Sequence, residues 1–282
     1  DADGRATTFT YDTNGNLLTY TAGADLTTPT VGQKTSYTYY DDGSIGTITD
    51  ALGNTTRHVT DYGIADARFP GAVRRQTVTV SDVARGVLRT THTYFDEQGN
   101  QLAQLVTRTL PDATTEDVIT RYRYDADNRL VATIQPDGRV SETRYNAVGK
   151  EAKTLEWRTV ADYTSADESL ARVTSYAYDE AGNLTSTTYA DGSTEATGYD
   201  AEAHRTWSQD RLGHRTFYFY DKVGRLRFTI LPDANDGVGA SAPTSATDPR
   251  LQDNPRTETV YDLAGRALKQ IDEAGRVTET RY

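Results

Sequence analysis

Residues 178–226 read YDEAGNLTSTTYADGSTEATGYDAEAHRTWSQDRLGHRTFYFYDKVGRL, and the Tyr-Asp pairs in this stretch begin at positions 178, 199 and 220. The period is therefore 21 residues, and the same interval separates Tyr124 from Tyr145 and Tyr261 from Tyr282. A fixed period of this length is the signature of a repeat architecture. Because each unit is short, polar and rich in turn residues, the sequence predicts tandem β-hairpins.

The turn chemistry is concentrated in an Asp-x-x-Gly tetrad that follows the tyrosine. Gly accepts a positive φ without steric cost, and an Asp at the start of a turn can bond the backbone of that turn. This pattern predicts a type I turn followed by one left-handed residue. Asp200–Ala203 lacks the glycine, so we expect strain or a different loop there. We predict a structural role in the repeat for Tyr124, Asp125, Tyr178, Asp179, Gly182, Tyr220, Asp221, Gly224, Tyr261, Asp262, Gly265, Asp272 and Gly275.

Between the turns, the apolar residues alternate with a period of two, as in Leu226, Phe228 and Ile230. This alternation is typical of strands with one apolar face. Tyr-x-Tyr pairs recur at 37/39, 122/124, 176/178 and 218/220. Stacked across strands, such tyrosines stabilise a sheet, which we favour over a sugar-binding role. The predicted fold is all-β: antiparallel hairpin repeats in a long curved sheet that spirals toward a hollow shell.

The composition restricts the partners. The hydrophobic fraction is 36%, the mean hydropathy is −0.68 and the net charge is −11. Nucleic-acid binding needs basic stripes, and the sequence has none. With no cysteine, disulfides and thiolate metal sites are excluded. No segment is apolar enough over a membrane-spanning length. We expect a fragment of a longer protein, because the sequence starts and stops inside the repeat pattern.

We predict one continuous array over residues 1–282, with insertions near 22–34, 63–93, 158–172 and 233–255. In the second insertion, Phe69-Pro70-Gly71 predicts a kink before two long strands, 73–80 and 86–94. In the third, Ser165 and Glu168 have the spacing of a capping box, which predicts a helix of one or two turns. The fourth is rich in Asp, Pro, Ala and Ser, so we expect a surface loop.

A search for chemistry finds no active site. The four histidines, His58, His92, His204 and His214, lack any metal-ligand spacing, although His204 and His214 could meet across a hairpin. Residues 233–237 resemble a calcium loop but lack its register and its closing Glu. Trp157 and Trp207 could line a sugar site, although strand packing is the commoner use. We predict no catalytic residue, no cofactor and no metal ligand.

The repeat itself resembles the YD, or Rhs, repeat. The best copies are YDADNRLVATIQPDGRVSETRY (124–145), YDEAGNL (178–184), YDKVGRL (220–226) and YDLAGRALKQIDEAGRVTETRY (261–282). The resemblance implies a sheet that spirals into a hollow shell, as in bacterial polymorphic toxins, Tc toxins and teneurins. In bacterial members the shell commonly encloses a C-terminal toxin that aspartyl autoproteolysis releases. Asp248-Pro249 matches part of the cleavage motif, but no glycine completes it.

The resemblance implies a structural, non-enzymatic role in a secreted or cell-surface bacterial protein. The expected partners are adjoining repeats and an enclosed toxin of the same longer protein, with no nucleic acid and no membrane span. An adhesion module that binds glycans through its Tyr and Trp faces is the alternative. An enzyme carried in the insertions is a third, less favoured, hypothesis.

Overall fold

A computed structural model describes residues 5–25, 33–232, 243, 245–248 and 254–282. Within this part of the chain the protein is all-β: 21 strands belong to an antiparallel sheet, with one short α-helix and one 3-10 turn. The predicted all-β hairpin fold is thereby confirmed. Among the described residues, no helix has both the length and the apolar character needed to cross a membrane.

The strands are short and are joined mostly by tight loops. Their bounds are β1 Arg5–Tyr11, β2 Leu17–Asp25, β3 Gln33–Tyr39, β4 Ile45–Thr49, β5 Thr55–Tyr62, β6 Arg74–Asp82, β7 Gly86–Phe95, β8 Gln101–Thr109, β9 Thr115–Tyr124, β10 Leu130–Ile134, β11 Val140–Tyr145, β12 Glu151–Trp157, β13 Ala171–Tyr178, β14 Leu184–Thr188, β15 Thr194–Tyr199, β16 Arg205–Gln209, β17 Arg215–Tyr220, β18 Leu226–Ile230, β19 Arg256–Tyr261, β20 Ala267–Ile271 and β21 Val277–Glu279. Helix α1 spans Val160–Ser165.

The strands follow a simple up-and-down order. From β1 to β11 and from β13 to β21, each strand pairs antiparallel with its neighbours in sequence. The register shifts at the repeat tyrosine in several hairpins, for example at Tyr178 and Tyr220. Such a shift is the bulge that a left-handed loop residue produces.

By compactness the chain divides into two units: residues 1–142 with 157–166, and residues 143–156 with 167–282. In the first unit, residues 63–73, here called the strap, lie over one face of the sheet. Phe69 and Ala72 of the strap pack on Tyr94, Ala103 and Leu105. The two long strands expected after the kink are present as β6 and β7, with bounds that differ by one or two residues.

Helix α1 belongs to the first unit, and its predicted N-terminus is wrong. Thr159 caps the helix, and its Oγ1 accepts a hydrogen bond from the Asp162 N–H. Ser165 instead ends α1, because Ala166 turns into the left-handed region at φ 57°. The helix therefore lies in the insertion where it was expected, but it ends at Ser165 instead of beginning there. Glu168 begins the 3-10 turn that follows.

In the second unit the main apolar cluster consists of Phe217, Ile230 and Ala246, with Trp207, Phe219 and Phe228 packed against it. The predicted apolar face of β18 is graded: Ile230 is buried, Phe228 is half-buried and Leu226 is exposed. Burial therefore rises toward the end of β18 that lies under Ala246. The insertions near 22–34 and 233–255, the sequence resembling a calcium loop and Pro249 lie wholly or partly outside the described residues.

Candidate functional site

The repeat loop is a five-residue unit closed by its first residue. In the loop 179–183, the Asp179 N–H donates to the Asn183 carbonyl and the Gly182 N–H donates to the Asp179 carbonyl, both at 3.0 Å. The Asp179 carboxylate accepts from the Asn183 backbone N–H at 2.8 Å and from its Nδ2 at 3.0 Å. Gly182 has φ 86°, which only glycine adopts without steric cost. One carboxylate thus satisfies several donors of the loop.

The same bonds recur along the chain with Asn, Arg or His as the fifth residue. The Asp side chain bonds the side chain of the fifth residue in the loops 12–16, 50–54, 96–100, 125–129, 179–183, 200–204, 210–214, 221–225, 262–266 and 272–276. Hydrogen bonds from the Asn183 side chain and then its backbone lower the pKa of Asp179. For Asp262 the backbone N–H of Arg266 is the largest cause of a lowered pKa. Asp179 and Asp262 are therefore held ionised.

Of the ten loops that begin with this Asp, two lack the glycine but keep its conformation. Asn128 has φ 60° and Ala203 has φ 65°. The Ala203 N–H still donates to the Asp200 carbonyl at 3.1 Å, and the Asp200 N–H donates to the His204 carbonyl at 3.0 Å. Of the two outcomes expected at Asp200–Ala203, the structure shows the strained residue and not a different loop. A left-handed Ala costs about 1–2 kcal/mol, which the hydrogen bonds of the loop must offset.

The repeat tyrosines connect one hairpin to the hairpin before it. The hydroxyls of Tyr39, Tyr220 and Tyr261 donate to the carbonyls of Leu17, Arg205 and Leu226, at 2.9, 3.0 and 2.9 Å. In each case the acceptor is the first strand residue after the preceding repeat loop. We call this the tyrosine contact. It joins neighbouring repeats through a side chain in addition to the backbone ladder.

The fifth loop residue also reaches the following repeat. The Arg225 guanidinium lies 4.6 Å from the Tyr261 ring centroid, and its Nη1 donates to the Asp262 carbonyl at 3.1 Å. Lys150, the fifth residue of the loop 146–150, also reaches the next repeat. Its Nζ lies 5.2 Å from the Tyr178 ring centroid and donates to the Gly182 carbonyl at 2.7 Å. No role for this fifth position was expected from the sequence. The signal was present, since the fifth residue is polar in these loops.

A polar network that the sequence did not predict lies under the strap in the first unit. Tyr94 is fully buried, and its hydroxyl donates to Asp66 Oδ2 at 3.1 Å. Arg68 Nη2 bonds the same oxygen at 3.0 Å and, as the largest cause, lowers the pKa of Asp66 to about 2. On the sheet, Arg75 donates to Asp61 Oδ2 at 2.8 Å. The Tyr94 hydroxyl thus joins the sheet to the strap through Asp66, in addition to the packing of Phe69, while one ion pair lies within the strap and the other within the sheet.

His92 lies beside this network on β7. Its Nδ1 is 2.9 Å from Thr77 Oγ1, and burial, followed by the charges of Arg75 and Arg68, lowers its pKa. Burial also raises the pKa of the Tyr94 phenol. A neutral imidazole and a neutral phenol between ion pairs form a structural network, in which each polar group has a partner. No buried side-chain nitrogen or oxygen is unpaired among the described residues.

His58 lies within β5, and the other two histidines occupy loop positions. His204 and His214 bond Asp200 and Asp210 respectively, each at 3.1 Å, and they lie at opposite ends of β16. They therefore do not meet. Asp200, Glu202 and His204 form the one group in the described ranges with three potential metal ligands within 4.8 Å. The loop 210–214 has the same Asp–His pair with Leu212 in the place of Glu202, so this pairing is ordinary loop geometry.

The two tryptophans pack within the sheet. Trp157 is 2% exposed, its Nε1 donates to Glu142 Oε2 at 3.0 Å, and Tyr163 of α1 packs edge-on against it. Trp207 packs on the Phe217 cluster, and Arg215 lies 4.8 Å from its ring centroid. Neither arrangement supports the sugar site that the sequence left open. Both tryptophans pack within the sheet, which is the commoner use of this residue.

The comparisons with known proteins agree with the repeat motif. A family model described as RHS Repeat matches residues 104–140 and 164–194. This match confirms the resemblance seen in the sequence, on less than half of the chain. A search of curated proteins finds no match.

A search of solved structures finds chains with low similarity to this one. The crystal structure of TcdB2-TccC3-TEV is 12% identical over 97% of this chain and 16% of that chain, with a TM-score of 0.40. A Tc holotoxin pore from Photorhabdus luminescens is 13% identical over 98% of this chain and 18% of that chain, with a TM-score of 0.32. The chain thus spans less than a fifth of either structure's chain.

Proposed function

Because residues 104–140 and 164–194 are Rhs repeats, we propose that this chain is a wall segment of an Rhs-type shell. The wall belongs to a longer, secreted bacterial protein and encloses a toxin or effector that lies outside this chain. Residues 1–282 form one continuous array within that wall. The role is mechanical: the wall separates the enclosed polypeptide from proteases and from its target until release.

The observation that carries the proposal is the connection of successive hairpins. Each strand between β1 and β11 and between β13 and β21 shares its backbone bonds with the neighbouring strands, and the tyrosine contact adds a side-chain bond between repeats. A ladder of this kind leaves few strand edges open to other chains. It also extends by adding one repeat at a time, since each repeat contacts only its neighbours.

The charged side chains fit the same role. Most loop aspartates bond their own loop, with pKa values held low by those bonds, for example Asp179 and Asp262. A carboxylate that is ionised and fully hydrogen-bonded stabilises a turn and is a poor general acid. The repeat-motif residues named in the sequence analysis therefore act in folding and assembly of the wall.

The test uses the longer protein that contains this chain. It is separated on native and on denaturing gels, before and after limited proteolysis. The proposal expects that denaturation frees a C-terminal fragment which co-migrates with the wall on the native gel and resists protease until the wall is unfolded. A protein in which every segment is cleaved at the same rate under native conditions would overturn the proposal.

A control variant separates enclosure from general stability. The Glu180 side chain makes no hydrogen bond or ion pair within the described part of the chain, so Glu180→Ala should leave the protected fragment intact. Asp179→Ala weakens the same loop by removing its internal bonds, so the fragment should become cleavable at a lower denaturant concentration. Equal behaviour of the two variants would show that the wall does not provide the protection.

A further inference from the structure

The loop 200–204 brings three potential metal ligands together. Asp200, Glu202 and His204 each offer one ligand atom, and these atoms lie within 4.8 Å of one another. In the part of the chain that the structure describes, no second group of this kind occurs. The Asp–His pair itself recurs in the loop 210–214, so Glu202 is the residue that distinguishes the earlier loop.

The two oxygens of the Asp200 carboxylate have different partners. Oδ1 accepts hydrogen bonds from the backbone N–H groups of Glu202 and His204, at 3.1 and 2.8 Å, and so closes the loop. Oδ2 faces the imidazole, 3.1 Å from His204 Nδ1. At metal–ligand distances of about 2.0–2.1 Å, two ligands of one ion are about 3.4 Å apart in a tetrahedral site and about 2.9 Å apart in an octahedral one. Oδ2 and Nδ1 therefore already have the separation of two ligands of one ion.

The following hairpin holds the imidazole in place. The His204 ring stacks on the Tyr220 ring, with centroids 4.8 Å apart and an interplanar angle of 27°. The Tyr220 hydroxyl donates to the Arg205 carbonyl at 3.0 Å, which positions the phenol ring against the imidazole. The other ring nitrogen, Nε2, lies over Gly224, where a Cβ would stand 3.1 Å from it. The imidazole is therefore fixed with Nδ1 toward Asp200.

The loop 210–214 provides a comparison within the same chain. It has the same Asp–His pair at 3.1 Å, but Leu212 replaces Glu202. The His214 side chain is 50% exposed, against 35% for His204, and within the described ranges no aromatic ring stacks on it. A ligand that is already held by its neighbours binds a metal in a defined geometry. Only the earlier loop has both a third ligand and a fixed imidazole.

We propose that this loop binds one divalent transition-metal ion of the zinc type, through Asp200 Oδ2, His204 Nδ1 and the Glu202 carboxylate. One imidazole and two carboxylates suit zinc and its neighbours, whereas calcium and magnesium take oxygen ligands. When Nδ1 binds the ion, the proton of the neutral imidazole resides on Nε2. Three protein ligands leave a fourth position for water. The assignment replaces the sequence-based expectation that the chain has no metal ligand, and it does not depend on the shell proposal.

The test is a titration of the folded chain, without a histidine tag, with zinc chloride at neutral pH in a calorimeter. The proposal expects saturable binding of one zinc ion per chain. It also expects a thermal midpoint that rises with the zinc concentration, because an ion that binds only the folded loop stabilises the folded state. Calcium chloride at the same concentrations should give neither effect. The absence of saturable zinc binding, or equal binding of calcium, would overturn the proposal.

Two substitutions each remove one ligand and keep the repeat loop. Glu202→Leu copies Leu212, the residue at the same position of the loop 210–214. His204→Asn copies Asn183, whose side chain also bonds the first Asp of its loop. Each variant should bind zinc at least tenfold more weakly than the parent chain, with a cooperative thermal transition retained in the absence of zinc.

The matched control is His214→Asn, which removes an imidazole from the loop that lacks the third ligand. Its zinc affinity should equal that of the parent chain. Equal losses of affinity in His204→Asn and His214→Asn would show that zinc binds surface histidines in general and would overturn the proposal. An unchanged affinity in Glu202→Leu would overturn it as well, because the third ligand would then have no part in binding.

Discussion

Gly198 on β15 lies directly under the indole of Trp207 on the neighbouring strand β16, where a Cβ on Gly198 would stand 2.0 Å from Trp207 Nε1. The ring therefore occupies the space that any other side chain would fill. An aromatic ring covering a strand glycine also compensates for the packing that the glycine itself cannot provide. Glycine is therefore required at position 198 for a steric reason.

Gly198→Ala should destabilise the chain by about 1–3 kcal/mol, because the methyl group forces the indole out of its position on the Phe217 cluster. Denaturant unfolding measures this loss. In a Trp207→Leu background the smaller side chain leaves room, so the same substitution should cost much less. Equal costs in the two backgrounds would show that the ring does not exclude the side chain.

Asp179→Ala should destabilise the second unit, because it removes the acceptor for the Asn183 backbone and side-chain donors. Glu180→Ala in the same loop is the matched control and should stay within about 0.5 kcal/mol of the parent. Chemical denaturation of the two variants makes the comparison. Similar losses would contradict the role assigned to the first loop residue.

Tyr261→Phe should cost about 1 kcal/mol, since it deletes the hydroxyl that donates to the Leu226 carbonyl at 2.9 Å while keeping the ring under Arg225. Tyr199→Phe is the control, because the Tyr199 hydroxyl makes no hydrogen bond within the described residues. Thermal unfolding of both variants should show a loss for Tyr261→Phe alone. Equal midpoints of the two variants would show that the tyrosine contact does not contribute to the coupling of neighbouring repeats.

The strap should detach in acid. The pKa of Asp66 is lowered to about 2, so its stabilising contribution is complete above the unfolded value near about 4 and is lost as the pH falls through about 2. Asp66→Asn removes this titration, so the variant should lose less stability than the parent over that range. The measurement is the unfolding free energy at several pH values. Parallel pH profiles would contradict the prediction.

His92 should make the first unit sensitive to milder acid. Burial and the charges of Arg75 and Arg68 lower its pKa, so its contribution is complete above the unfolded value near about 6.5 and falls as the pH drops through and below it. Asp61 and Asp117 oppose this effect, and Thr77 bonds the imidazole. His92→Gln should flatten the profile between about pH 7 and 5. A profile that His92→Gln leaves unchanged would show that the pKa of His92 is the same in the folded and in the unfolded chain.

The period, the turns and the strand alternation were predictable because each depends on residues close together in sequence. Asp-x-x-Gly specifies its own loop through bonds within five residues, as in Asp179 to Asn183. Alternation over β18 placed Phe228 and Ile230 on one face for the same reason. Even Ala203, which lacks the glycine, follows the loop because its neighbours supply the bonds.

Only the tertiary structure decided the contacts between residues that lie far apart in sequence. Asp66 meets Tyr94 across 28 positions, and Trp157 is buried against Glu142 and Tyr163. Helix α1 is capped by Thr159 and not by Ser165, which the spacing to Glu168 had indicated. The position of Gly198 under Trp207 follows from strand register. Register is a property of paired strands, so no single segment of the sequence contains it.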